Sequence, residues 1–226
     1  MEVIILAGGL GTRLRSEVSD VPKPMAPVGA KPFLEVILDN FLRFDISKFV
    51  ISIGYLGGVI SSYFGNSYKG IEIAYCHEDE PLGTGGAIKK ALNYIENQQA
   101  IIVNGDTFID LDFSDMFSQF SRQQSQIMIA LKEVDNCSRY GTVKINSNNL
   151  VVDFSSNQTG KGLINTGVYM VSCDFFRKLF TEEKFSFEKY IESNVSSLNI
   201  NAYISNSYFI DMGIPEDYQK AIKRFS

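Results

Sequence analysis

The stretch VIILAGGLGTRL, Val3 to Leu14, carries an apolar run into Gly8, Gly9 and Gly11 and then sets Arg13 beside them. A glycine-rich turn after a strand lets a phosphate reach backbone N–H groups. A guanidinium inside such a turn adds bidentate donors, suited to more negative charge than a dinucleotide carries. Lys23 follows in VPKPMAPV, held between Pro22 and Pro24, whose fixed φ stiffens the base of its side chain. Asp106 ends IIVNGD and Asp211 lies in YFIDMG. Both fall at the ends of strand candidates, where open α/β sheets place their ligand crevice. His77 is the one histidine. Triads, His-based metal sites and His general bases are thus nearly excluded, and chemistry must run on carboxylates, Lys, Arg and a metal.

Three readings compete for the turn. It is not a Walker A loop, because GxxxxGK[ST] is absent. A Rossmann fingerprint needs a small residue where Leu14 stands and an acid ending the second strand, which instead reads FVISIGYLGG. A tight strand–helix turn with no ligand is the bland alternative. A nucleoside triphosphate loop is the third, and Arg13 with Lys23 favours it.

These residues need a scaffold. The chain has 226 residues, 45% hydrophobic and 21% charged, with net charge −5 and no basic run. One domain is expected, and nucleic-acid or anionic-membrane binding is disfavoured. No segment approaches a membrane span, and the N-terminus enters a strand directly. Cys76, Cys137 and Cys173 show no CxxC spacing and read as free thiols, which suits a cytoplasmic protein. Apolar runs at 3–7, 49–53, 71–75 and 100–103 alternate with helical periodicity at 33–42, 56–64 and 87–95. That predicts βαβ units and an α/β fold with a Rossmann-like, mostly parallel sheet flanked by helices. After about residue 125, strand candidates at 127–132, 142–146, 150–154 and 163–171 suggest a partly antiparallel extension. Helices at 174–180 and 187–193, a strand at 200–204 and a helix from Pro215 follow. We read a single domain, 1–226, with two lobes, 1–125 and 126–226.

The motifs LAGGLGTRL (6–14), PKPM (22–25), KPFLE (31–35), EDEPLGTGGAI (78–88), NGD (104–106), RYGTV (139–143), NTGVY (165–169) and FIDMGIPEDY (209–218) run through nearly the whole chain. In this order they resemble the sugar-nucleotidyltransferase, or nucleotide-sugar pyrophosphorylase, family. The resemblance implies the nucleotide-diphospho-sugar transferase fold without an appended β-helix or acyltransferase domain. The implied reaction joins an NTP and a sugar 1-phosphate into an NDP-sugar, with Mg²⁺ as cofactor and pyrophosphate as by-product. The nucleophile is already an anion, so no general base is required. By resemblance, Arg13 holds the β/γ-phosphates and Lys23 the α-phosphate as catalytic cations, while Asp106 and Asp211 bind Mg²⁺. The nucleotide contacts fall on Leu6, Ala7, Gly8, Gly9, Gly11, Thr12, Glu78, Gly83, Thr84 and Gly105. LGTGGAI (82–88) also admits a bland reading, a helix start capped by Thr84. The sugar phosphate falls to Tyr140, Gly141, Asn165, Thr166 and Glu188, the last also explicable as a helix-start acid. Relatives commonly place a Glu-Lys pair after the strand matching VVDF (151–154); here Ser155, Ser156 and Asn157 stand there. Lys161 is the candidate replacement for the missing Lys.

Glu78 stands where uridylyl and thymidylyl relatives tend to carry Gln. One carboxylate accepts both N1–H and the N2 amino group of guanine, whereas uracil and thymine flank their N–H with repelling carbonyls. GTP is therefore the expected NTP, unless Glu78 merely belongs to the acidic run HEDE (77–80). Overall likeness favours a manno-configured heptose 1-phosphate over mannose 1-phosphate as acceptor, and a homodimer is compatible with it. Two other classes compete. A catalytically silent nucleotide-sensing relative is disfavoured because Arg13, Lys23, Asp106 and Asp211 are all present, and an NAD-dependent oxidoreductase because the ribose acid is missing.

Overall fold

A computed structural model describes all residues except 10, 12, 13, 15, 16, 19, 156, 157, 180 and 181, with Leu179 described for its backbone alone. The first half runs β1 (Glu2–Leu6), β2 (Pro27–Val28), β3 (Lys31–Pro32), α1 (Phe33–Phe41), β4 (Lys48–Ile53), α2 (Gly57–Phe64), β5 (Ser67–Tyr68), β6 (Ile71–His77), α3 (Gly83–Ala91) and β7 (Gln99–Asn104). The second half runs β8 (Thr107–Ile109), α4 (Phe113–Gln123), β9 (Ile127–Val134), β10 (Thr142–Ile145), β11 (Val151–Ser155), β12 (Gly162–Ser172), α5 (Cys173–Leu179), α6 (Phe187–Asn194), β13 (Ile200–Ile204), β14 (Phe209–Asp211) and α7 (Pro215–Phe225).

The strands β7, β1, β4 and β6 lie side by side and parallel, as continuous apolar runs require when both faces are covered. Val3 and Ile5 of β1 face one core, shared with Phe33, Leu34, Phe113 and Met116; Ile4 faces the other, shared with Ile88, Phe176 and Ile191. Side-chain alternation along one strand thus feeds two helical layers. Beyond β7 the sheet turns antiparallel through β12, which also pairs with β9 and β10, and β13 joins β9 in parallel. One sheet therefore takes strands from both halves of the chain.

The carboxyl ends of the parallel strands are level. Leu6 sits opposite Ser52 on one side and Asn104 on the other, and Ser52 opposite Cys76. The turns after β1, β6 and β7 consequently open at one edge. A small second sheet pairs β8 with β14 and brings Asp211 opposite Thr107. Where β9 leaves its register with β12, a bulge falls between Asn165 and Tyr169. Gly167 within it has φ +73°, and a Cβ there would stand 2.5 Å from the Asn104 amide nitrogen. The bulge re-aims Asn165 beside the end of β7.

Candidate active site

Backbone bonds pin the first turn between two strands. Ala7 N–H donates to Ser52 O at 2.8 Å, and Gly105 N–H to Leu6 O at 2.9 Å. Gly8 is required here, since a Cβ would stand 2.4 Å from Glu78 Oε1. Gly11, at φ +59°, packs against the Cβ of Lys23. Lys23 opens a single 3₁₀ turn after Pro22, closed by Ala26 N–H to Lys23 O at 3.0 Å. The two prolines thus fix the lysine stem where sequence placed it. Its ammonium forms an ion pair with Asp106, the lysine side chain only 11% exposed and the aspartate 31%. Arg13 and Thr12 lie outside the described residues.

Asp106 lies between β7 and β8, and Asp211 ends the antiparallel partner of β8. Met212 N–H donates to Asp106 O at 2.9 Å, locking the two segments together. The motif around Tyr140 docks on the same sheet. Its ring meets Phe209 edge-on with centroids 5.9 Å apart, and the Arg139 guanidinium lies 5.5 Å over it. Arg139 also pairs with the buried Asp217 at 2.8 Å. Burial, followed by hydrogen bonds from Lys220 and Arg139 that outweigh it, leaves the Asp217 carboxyl below the usual range. Among the described residues no group of three His, Cys, Asp and Glu side chains gathers to hold a metal. Asp106 lines the cleft described below, while Asp211 is not among its lining residues and sits opposite Thr107, the neighbour of Asp106. As hard carboxylates the two are donors of the type that suits Mg²⁺, which takes one or two carboxylates plus phosphate and water.

Glu78 separates from its acidic neighbours. Asp79 and Glu80 are 96% and 74% exposed, whereas Glu78 lines the cleft half-buried. Its Oε1 accepts from Ser52 Oγ at 2.8 Å and its Oε2 from Leu82 N–H at 3.2 Å. Ser52 is fully buried. A polar residue inside an apolar strand was the available signal for this support, and sequence reasoning passed over it.

Leu6, Gly8, Lys23, Glu78, Gly83 and Asp106 converge on one cavity of about 450 Å³. Gly9, Gly11, Ala7 and Thr84 also line it, as do Asn104 and Gly213, which the sequence analysis did not single out. The Asn104 Oδ1 is buried without a hydrogen-bond partner among the described residues. The predicted acceptor residues form a second group. Asn165 N–H donates to Gly141 O at 2.9 Å, and Asn165 Nδ2 to the Tyr169 hydroxyl at 2.6 Å. The Tyr169 hydroxyl donates to Glu188 Oε1 at 3.5 Å. Thr166 differs: its hydroxyl donates to Ala130 O at 2.7 Å and the residue is 1% exposed, so its side chain offers the cleft nothing. Lys161 stands apart as well, 61% exposed and paired with Glu133 at 3.0 Å.

Residues 2–225 match the nucleotidyl transferase family. D-glycero-α-D-manno-heptose 1-phosphate guanylyltransferase from Campylobacter jejuni subsp. jejuni is 45% identical over 219 residues, covering 96% of this chain and 97% of that protein. The protein of that name from Aneurinibacillus thermoaerophilus is 43% identical, covering 99% of this chain and 97% of its own length. HddC from Yersinia pseudotuberculosis has a similar crystal structure, with TM-score 0.89 and 36% identity over 100% of this chain and 99% of that one. Its complex with GMP-PN gives a TM-score of 0.86. The helix-flanked mixed sheet is thus the nucleotide-diphospho-sugar transferase fold, and the chain belongs to the nucleotidyl transferase family.

Proposed function

We propose that this chain transfers the guanylyl group of GTP to D-glycero-α-D-manno-heptose 1-phosphate, giving the GDP-sugar and pyrophosphate. The observation that carries the reading is one cleft lined by Lys23, Asp106 and the Gly8 turn, with the Glu78 carboxylate packed against Gly8. The kinship with guanylyltransferases of that substrate supports it. An oxygen of the sugar phosphate attacks the α-phosphorus, a new P–O bond forms, and the bond to the β-phosphate oxygen breaks. The attacking oxygen already bears its charge, so positioning and charge neutralisation supply the catalysis. Lys23 exchanges Asp106 for the α-phosphate, and Arg13 holds the departing phosphates. Asp106 and Asp211 would hold Mg²⁺, which would supply neutralisation of phosphate charge when bound. Glu78, fixed by Ser52 and Leu82, accepts the two guanine donors.

We further infer that 1–226 works as one domain, the lobes divided near residue 125. Asn165, Glu188, Tyr140 and Gly141 serve the acceptor. Among the described residues no helix is long and apolar enough to cross a membrane, and all three cysteines are buried and free. The cytoplasm, where GTP and reduced thiols occur together, is the compartment this reading assigns, and a homodimer is compatible with it. Phosphorus NMR of the protein with GTP, Mg²⁺ and either heptose or mannose 1-phosphate tests the reaction. A GDP-sugar doublet with the heptose substrate supports it. Faster product from mannose 1-phosphate reassigns the acceptor, and no diphosphate product with either overturns the reading.

A further inference from the structure

Thr84 belongs by sequence to the nucleotide turn, yet its hydroxyl faces the other lobe. It donates to Glu188 Oε2 at 2.6 Å and accepts from Phe187 N–H at 2.9 Å. Ser186 Oγ donates to the same Glu188 oxygen at 2.8 Å. The other Glu188 oxygen takes the Tyr169 hydroxyl, which itself accepts from Asn165 Nδ2. Tyr169 is 1% exposed, and burial, then the Glu188 charge, raise its phenol far above the ordinary value. It stays protonated, so the direction of the relay is fixed from Asn165 through Tyr169 to Glu188. An unbroken chain of hydrogen bonds therefore joins Thr84, at the nucleotide cleft, to Asn165.

The backbones are docked at the same place. Gly85 N–H donates to Phe185 O at 3.0 Å, and Phe185 N–H to Leu82 O at 3.0 Å. A Cβ on Gly83 would stand 2.5 Å from Phe185 O, and one on Gly86 2.2 Å from Glu183 O. The second glycine run, expected to let a base approach, is also shaped to admit the 183–186 segment. With its single hydrogen directed at Glu188, the Thr84 hydroxyl has none to donate to a nucleotide.

We propose that Thr84 is a positioning residue for the acceptor: it holds the Glu188 carboxylate, with Ser186 and Tyr169, in the one orientation that meets the sugar hydroxyls. The inference rests on the reading that Glu188 and Asn165 line the sugar-phosphate pocket. It predicts a division of labour inside one turn, in which backbone at Gly83 serves the nucleotide and side chain at Thr84 serves the sugar.

The test is a set of variants of the whole chain assayed with GTP, Mg²⁺ and heptose 1-phosphate, with GTP affinity measured separately by calorimetry. Thr84→Val is expected to raise the acceptor KM about tenfold, the scale of a lost hydrogen bond to a charged group, while the GTP Kd stays within about twofold. Thr84→Ser, which keeps the hydroxyl, is expected to recover most of the acceptor affinity. In a Glu188→Gln background, Thr84→Val should add little, because the group it orients is already altered. A GTP Kd that weakens while the acceptor KM holds overturns the proposal, as do fully additive effects in the double variant. Should Thr84→Val not fold, Ser186→Ala removes the second donor to the same oxygen and carries the same KM prediction. Wild-type protein inactive with every GTP and sugar 1-phosphate pair refutes the functional reading and the proposal together. Wild-type turnover with an unmoved KM in the variants refutes the proposal alone.

Discussion

Asp106 and Lys23 illustrate how one side chain can have two partners. The two pair directly with each other, and the proposed reaction gives each a further partner, the α-phosphate for Lys23 and the metal for Asp106. Asp106→Asn and Asp211→Asn, which remove charge from the proposed metal pair, are each expected to lower kcat by about 10²-fold or more with the melting temperature little changed, because metal charge stabilisation amounts to several kcal/mol. Near-wild-type turnover in either variant removes that residue from the metal pair. Lys161 is the opposite case. It lies four residues before Asn165, about 13 Å along an extended strand, and is already paired with Glu133 at the surface. Lys161→Ala should therefore leave the sugar-phosphate KM within about twofold. A rise of tenfold would return Lys161 to the acceptor site as the replacement for the missing Lys.

At the scale of elements, the bulge in β12 is the device that sets its backbone against the end of β7. Gly167 sits there at φ +73° against the Asn104 side chain. Gly167→Ala combines backbone strain with a clash, and is expected to cost about 1–3 kcal/mol in chemical denaturation and to weaken acceptor binding. A neutral substitution would show the bulge to be pliant. Little of this device was legible beforehand. The parallel strands were, because β1, β4 and β7 each carry at least three consecutive apolar residues, and the final helix was, because Pro215 marks its first turn. α4 was not among the expected helices although it was legible: Phe113, Met116 and Phe120 fall at i, i+3 and i+7 behind the N-cap Asp112. β14 was expected as the strand that ends at Asp211, whereas its partner β8 escaped because three residues carry no periodicity and only tertiary pairing makes them a strand. Asp211 is not among the residues that line the cavity, whereas the glycine turn, Lys23 and Asp106 were readable as lining residues from type and position. The role of Thr84 was not: its partners are 103 and 104 residues away, and no local pattern encodes them.

At the scale of the whole molecule, one sheet joins both halves of the chain, and the cleft opens where its parallel strand ends are level. Polar clusters outside the cleft stabilise the scaffold. Burial pushes the Asp39 carboxyl up, but hydrogen bonds from Lys31, Lys69 and Tyr68 outweigh this and bring it from 3.8 to about 2. Its ionised form is thus favoured by folding: the contribution is complete above pH 3.8 and is lost as pH falls through about 2. Asp39→Asn should cost about 1–2 kcal/mol at neutral pH, and the difference from wild type should shrink across that acid window in urea denaturation. A difference independent of pH would contradict the assignment. The central claim is that a carboxylate on the nucleotide lobe selects guanine in a nucleotidyl-transfer cleft. The measurement that tests it most directly is the ratio of kcat/KM for GTP to that for UTP, read by pyrophosphate release, in the wild type and in Glu78→Gln. The account predicts a wild-type ratio of about 10² or more that falls toward unity in the variant. A wild type that prefers UTP, or a ratio unmoved by the substitution, would contradict it.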